Sequence, residues 1–194
     1  MISNPEAPTA PLRISARFPD VASLGQAVGF EVGFRQLDEG DPSIFATAVV
    51  CRNLTLTHMR FVRRYHQKGL PPHGKLTFGI PVAGLRSWLG HRYRLPGVLP
   101  FNLPGGIDGI SESGFEAFTL SLGENFLDEI ATSFQIPMQG RFQRPTTQSM
   151  IEPDEHASRL RGLLFRLALR PDRIVDPETE EEVVSTLLHA GLSE

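Results

Sequence analysis

The segment Gly74–Leu122 reads GKLTFGIPVAGLRSWLGHRYRLPGVLPFNLPGGIDGISESGFEAFTLSL. Short apolar runs in it are cut at near-regular intervals by Gly and Pro. Strands with turn signals every 8–12 residues or so predict a small antiparallel barrel or sandwich. The candidate strands are Lys75–Val82, Leu85–Leu89, Arg92–Leu95, Val98–Leu103 and Phe115–Leu122. Gly84, Gly90, Pro96-Gly97 and Pro104-Gly105-Gly106 separate most of them, and Asp108–Gly114 reads as a longer turn. The stretch holds no paired His, no Cys cluster and no run of acids of the kind a metal enzyme would carry.

Upstream the strand pattern continues. Ser43–Cys51 and Leu54–Val62 form a predicted hairpin turning at Arg52-Asn53, since two residues is the favoured loop length and Asn tolerates positive φ. This register puts Ala46, Ala48 and Val50 on one face with Thr55, Thr57 and Met59. Phe45, Val49 and Cys51 fall on the other with Leu54, Leu56, His58 and Arg60. Phe30–Leu37 alternates as a strand, Asp38–Pro42 as its turn, and Arg63–Gly74 reads as a polar loop. Asp20 is placed to cap a short helix through Val21, Leu24 and Ala27, closed by Gly29. Residues 1–17 read as a flexible arm, Pro- and Ala-rich through Pro11.

Downstream of Gly123 the period changes. Phe126, Leu127, Ile130, Ala131 and Phe134 share one helical face, and Pro137 ends that helix. Gln139–Ser149 is a polar linker. Ala157, Leu160, Leu163, Leu164, Leu167 and Ala168 then recur at steps of three and four, up to Pro171. A last helix opens at Pro177 with acids massed in its first turn, where the helix dipole favours them, and carries Val183, Val184, Leu187 and Leu188. The chain is therefore α+β. Residues 18–150 are expected to form a β-barrel with one covering helix, and 151–194 a two-helix segment. Its leucines must pack on the barrel, on each other, or on a second copy of the chain.

Composition narrows the function classes. The 194 residues are 40% apolar and 21% charged, ordinary for a soluble globular protein, with a formal charge of −3. That balance gives no general attraction to nucleic acid or anionic lipid. Cys51 is the single cysteine, so no internal disulfide forms; ending an apolar run, it reads as a small buried hydrophobe. No signal peptide and no apolar run near the roughly 20 residues of a membrane span is present, which predicts a cytoplasmic protein without membrane contact.

Catalytic signatures are missing as well. The histidines at 58, 66, 73, 91, 156 and 189 lack the spacing of a metal-ligand set and read as solvated or locally hydrogen-bonded. The acids fall in turns or on helices; there is no Gly-x-Ser-x-Gly elbow, and Leu103–Gly109 lacks the lysine and helix of a phosphate loop. The expectation is no catalytic residue, no metal and no cofactor. What remains is a small-molecule pocket in the barrel. Its candidate lining is Phe61, Phe78, Trp88, Tyr93, Phe101 and Phe118, with Arg35, His58 or Arg60 as polar handles. The same aromatics at strand spacing also serve as plain core.

The succession of segments resembles the N-terminal regulatory region of AraC/XylS-type bacterial transcription regulators. The likeness rests on Gly29–Gly40, the hairpin Phe45–Val62, Gly74–Pro81, Trp88-Leu-Gly90 with Leu95-Pro-Gly97, and Gly114–Leu122 running into the helix at Phe126. It covers roughly residues 18 to 190. It implies a metal-free, cupin-like barrel of the jelly-roll type followed by helices that dimerise, with Leu160, Leu163, Leu164 and Leu167 as the expected homodimer seam. In such regulators the barrel senses a small-molecule effector or holds the dimer, and a separate C-terminal region with two helix-turn-helix units reads DNA. That region has no counterpart before Glu194, so DNA contact is expected only through a part outside this chain. Two other readings stand beside an effector-sensing, dimerising regulatory domain. One is a small cupin-type isomerase or dioxygenase, which bound metal would reveal. The other is a stand-alone module that titrates full-length partners by forming heterodimers.

Overall fold

The computed structural model describes residues 12–18, 23, 29–93, 97–102, 106–135, 155–169 and 177–190. Within these, nine strands form one sheet: β1 Leu12–Phe18, β2 Glu31–Gln36, β3 Ile44–Val50, β4 Leu54–Phe61, β5 Tyr65–Leu70, β6 Lys75–Trp88, β7 His91–Arg92, β8 Leu99–Pro100 and β9 Ile107–Gly123. Three helices follow, α1 Glu124–Ser133, α2 Glu155–Leu169 and α3 Pro177–Ala190. Every strand pairing is antiparallel. The main path runs β1-β3-β4-β9-β5-β2, and β6 lies along the opposite edge of β9, with β7 and β8 on it. The sheet curls into a half-barrel, and the chain is α+β.

The hairpin is as the sequence predicts. Cys51 N–H donates to Leu54 O across Arg52-Asn53, and Ala46 pairs with Met59 and Ala48 with Thr57. Alternate side chains then go to opposite cores. Val49, Leu54, Leu56, Phe118, Leu120 and Leu122 join the helix leucines in one cluster. Ile44, Ala46, Met59, Phe61, Phe115 and Ala117 form a second with Tyr65. Trp88, Tyr93, Leu99, Phe101 and Ile107 make a third.

Several expectations are corrected. Leu12–Arg17, expected in the arm, pair with β3 from Leu12 opposite Val50 to Arg17 opposite Phe45; residues 1–11 lie outside the described residues. The polar loop expected over Arg63–Gly74 contains β5, which lies between β9 and β2. The turn expected at Asp108–Gly114 is the first half of β9, whose Asp108 and Ser111 face Lys68 and Tyr65 of β5. Gly84 does not end a strand. It sits at φ +70° among the register shifts of β6, where a Cβ would lie 2.8 Å from Phe115 Cα, so it is a bulge inside one long strand. The short helix expected over 21–27 and the linker at 139–149 lie outside the described residues, apart from Ser23.

The four leucines of the expected dimer seam pack inside their own chain: Leu160 and Leu164 are fully buried, and Leu163 and Leu167 are 4% exposed, within a core shared with α1, α3 and the sheet. The boundary expected at 150/151 does not divide that core either, since Ala157–Leu167 pack in the same cluster as Phe118 and Leu120.

The first turn of α3 is locked to the β3–β4 hairpin. Glu180 is 6% exposed, and Asn53 Nδ2 donates to its Oε2 at 3.1 Å. Burial raises the carboxyl above its usual pKa, more than Asn53 and the charge of Arg52 lower it. A raised folded-state pKa favours the protonated form: its contribution is complete below the ordinary carboxylate range and is lost as pH rises through the raised value. Glu180→Gln is therefore expected to raise Tm at pH 7. The margin over the parent protein should vanish as pH falls through the ordinary carboxylate range, near 4.3. Thermal scans of both proteins across that interval check it. A constant margin would remove the assignment.

Candidate functional site

A cleft opens on the side of the sheet away from the helices. Val32 and Phe34 of β2, with Phe30 just before it, form one wall, joined by Met59 of β4 and Gln67 of β5. Gly79, Pro81, Leu85 and Trp88 of β6, with Leu99 and Phe101, form the other. Ile107, Gly109, Phe115, Ala117, Phe118 and Thr119 of β9 run along it. It holds about 620 Å³ of atom-free space, mouth included, and about 50 Å³ in which a water-sized sphere can be centred. One water fills roughly 10–15 Å³, so this is room for several waters or a small organic molecule.

Two glycines create that shape. Trp88 and Phe101 stack with ring centroids 5.0 Å apart and planes at 25°. A Cβ at Gly79 would collide with the Phe101 ring, and one at Gly109 would stand 3.1 Å from Trp88. Glycine at these strand positions lets the two rings lie close against the backbone. Phe30 meets Phe101 edge-on at 6.4 Å, and Phe34 meets Phe61 edge-on at 6.0 Å, so β2 is tied to both apolar clusters.

The described wall carries no charged side chain. Its polar groups are Gln67, Thr119 and the indole of Trp88. Trp88 is 3% exposed, and its Nε1 is buried with no hydrogen-bond partner among the described residues. A buried N–H without an acceptor is uncommon, because folded chains pair nearly all such groups.

Of the residues singled out in the sequence, Trp88, Phe101 and Phe118 line the cleft, Phe118 also packing into the helix-side core. Phe61 is one ring behind the cleft, packed on Phe34, Tyr65 and Phe115. Phe78 is buried in the helix-side core. Tyr93 is buried beside Trp88, and its hydroxyl donates to Gly97 O at 3.0 Å; burial pushes its pKa well up. The three polar handles do not converge on the cleft. His58 Nε2 bonds Glu116 Oε1 at 2.7 Å and its ring stacks on Phe118 at 4.6 Å. Arg60 is exposed on β4, and Arg35 is exposed on β2 opposite His66. The lining residues Phe30, Val32, Phe34, Gln67, Gly79, Leu99, Ile107, Gly109 and Phe115 were not singled out. Two of them, Gly79 and Gly109, carried a signal that went unused, glycine inside a strand-forming run.

Other candidate groups have structural settings. His66 Nε2 bonds Asp108 Oδ1 at 2.9 Å across β5 and β9. Cys51 is half-buried, and burial together with the nearby charge of Glu180 pushes its thiol up to about 11, so it stays protonated at neutral pH. No group of three or more His, Cys, Asp or Glu converges among the described residues. No helix among them is long and apolar enough to cross a membrane.

The half-barrel with helices on one face and an apolar cleft on the other has a counterpart of known class. The crystal structure of the AraC-like transcriptional activator CuxR superposes with a TM-score of 0.66 at 12% identity, over 94% of this chain and 71% of that one. At that identity the likeness is one of fold. No protein-family model matches the chain, and no curated protein matches it.

Proposed function

We propose that this chain is the effector-sensing and dimerising part of an AraC-type transcription regulator, acting in the cytoplasm, with the cleft at Trp88 as its effector site. The observation that carries this is the superposition of nearly the whole chain on an AraC-like activator. The glycine-shaped apolar cleft supports it, being concave, mostly apolar and provided with few polar groups, as small-molecule sites are. On this reading the half-barrel is a cupin-like barrel, and DNA is read by a region outside this chain. Effector binding acts by differential affinity for two arrangements of the attached readers.

Dimerisation is the part most directly measured. Sedimentation equilibrium of the chain is expected to give about twice 21.5 kDa, through a contact other than the four buried leucines. A monomer at every concentration would sink the dimerising role. The stand-alone module makes the same dimer, so the second arm is the native protein's size on a blot. A band well above 21.5 kDa supports the regulator, and one at 21.5 kDa supports the module.

A further inference from the structure

We infer that Ala117 sets the size of what the cleft admits, and that the occupant is a small, uncharged, hydrocarbon-like molecule held by shape. This deepens the effector-site reading above and rests on it. The smallest residues of the described lining are Gly79, Gly109 and Ala117. The space above the two glycines is already taken. A Cβ at Gly79 would collide with the Phe101 ring, and one at Gly109 would meet Trp88 at 3.1 Å. Ala117 is different. Its partners across the strands are Met59 of β4 and Pro81 of β6, and Phe115 lies two residues along on the same face of β9. All three are larger, and all three line the cleft as well. A methyl group among them is the low point of the wall, so side-chain volume added there is taken from the cleft.

The chemistry of the wall gives the class. No described lining side chain is charged, so an ionised ligand group seated there would lose its water and gain no counter-charge. Apart from Gln67, Thr119 and the Trp88 indole, the lining side chains are aliphatic or aromatic. Burial of apolar surface is therefore what holds an occupant. The room, several waters' worth, is on the scale of a single ring.

The test uses the intact chain with toluene, benzoate and benzylammonium, probes that share one ring and differ in charge. Trp88 is the only tryptophan and lies in the wall, so its emission reports occupancy of this cleft. Toluene is expected to bind saturably in equilibrium dialysis and to change that emission, and the two ions to do neither. Ala117→Leu should abolish saturable toluene binding and leave Tm at or above the parent value, because the leucine fills space the parent leaves open. Loss of binding together with a clear fall in Tm would make 117 a packing position and overturn its role. Ala117→Val should weaken toluene by about tenfold, and it decides the matter if the leucine variant fails to fold. Undiminished toluene binding in the valine variant, or in a folded leucine variant, overturns the role of Ala117. Either ion binding as tightly as toluene overturns the ligand class and leaves the cleft as an effector site. Binding of none of the three overturns the use of the cleft, while sedimentation and the native size judge the regulator reading separately.

Discussion

Leu164→Ala is expected to cost about 2–5 kcal/mol, and Leu164→Glu to leave no cooperative unfolding transition. Leu164 is fully buried where α2 meets α3 and the sheet, so truncation loses its transfer free energy and leaves a cavity. A glutamate there must bury a charge without a partner or open the core. Small proteins are stable by roughly 5–15 kcal/mol, so either change consumes a large share. Urea denaturation followed by circular dichroism, with size exclusion on the same samples, checks both. A folded monomer from Leu164→Glu would return these leucines to an intermolecular seam and contradict their burial within the chain.

Phe61→Ala is expected to cost about 3–5 kcal/mol, the usual loss for a buried phenylalanine. Phe61 is 1% exposed and packs against Phe34, Tyr65 and Phe115 at centroid distances of 6.0, 5.2 and 5.0 Å. It stands behind the cleft and supports Phe34, which lines it. The milder Phe61→Leu should lower Tm by a few degrees, read in thermal scans of both proteins. An unchanged Tm would contradict the close packing of this ring.

The helices and the first hairpin were legible because their signals are local. Leucines at three- and four-residue steps bounded by Pro171 and Pro177, and an Arg-Asn pair between two strand-like runs, need no tertiary information. The segments β5 and the start of β9 were misread for a shared reason. Tyr65–Leu70 and Ile107–Gly114 are rich in Gly and charge, and the partners that justify the charge are in the other strand. His66 meets Asp108, and Arg64 lies 3.1 Å from Glu112. Each half looks like a loop until it is paired. The arm was misread similarly, since a strand that docks along β3 is indistinguishable from a linker when seen alone.

The candidate site was half legible. Aromatic residues at strand spacing identified the right chemistry, but the face each one takes depends on register, and a shift of one residue exchanges the faces. Phe78 therefore went to the helices while Trp88 went to the cleft. His58 and Arg60 were assigned correctly to one face of the hairpin, opposite Met59, and that face proved to be the one turned away from the cleft.

One peptide link in β9 joins the two sides of the molecule. Ala117 borders the cleft, and its neighbour Phe118 meets Phe165 of α2 edge-on at 5.0 Å. The strand is thus a partition one backbone thick, with a chamber on one side and a helix resting on the other. Adjacent positions of β9 therefore serve different neighbourhoods: bulk added at Ala117 would fill the chamber, and bulk removed at Phe118 would loosen the helix.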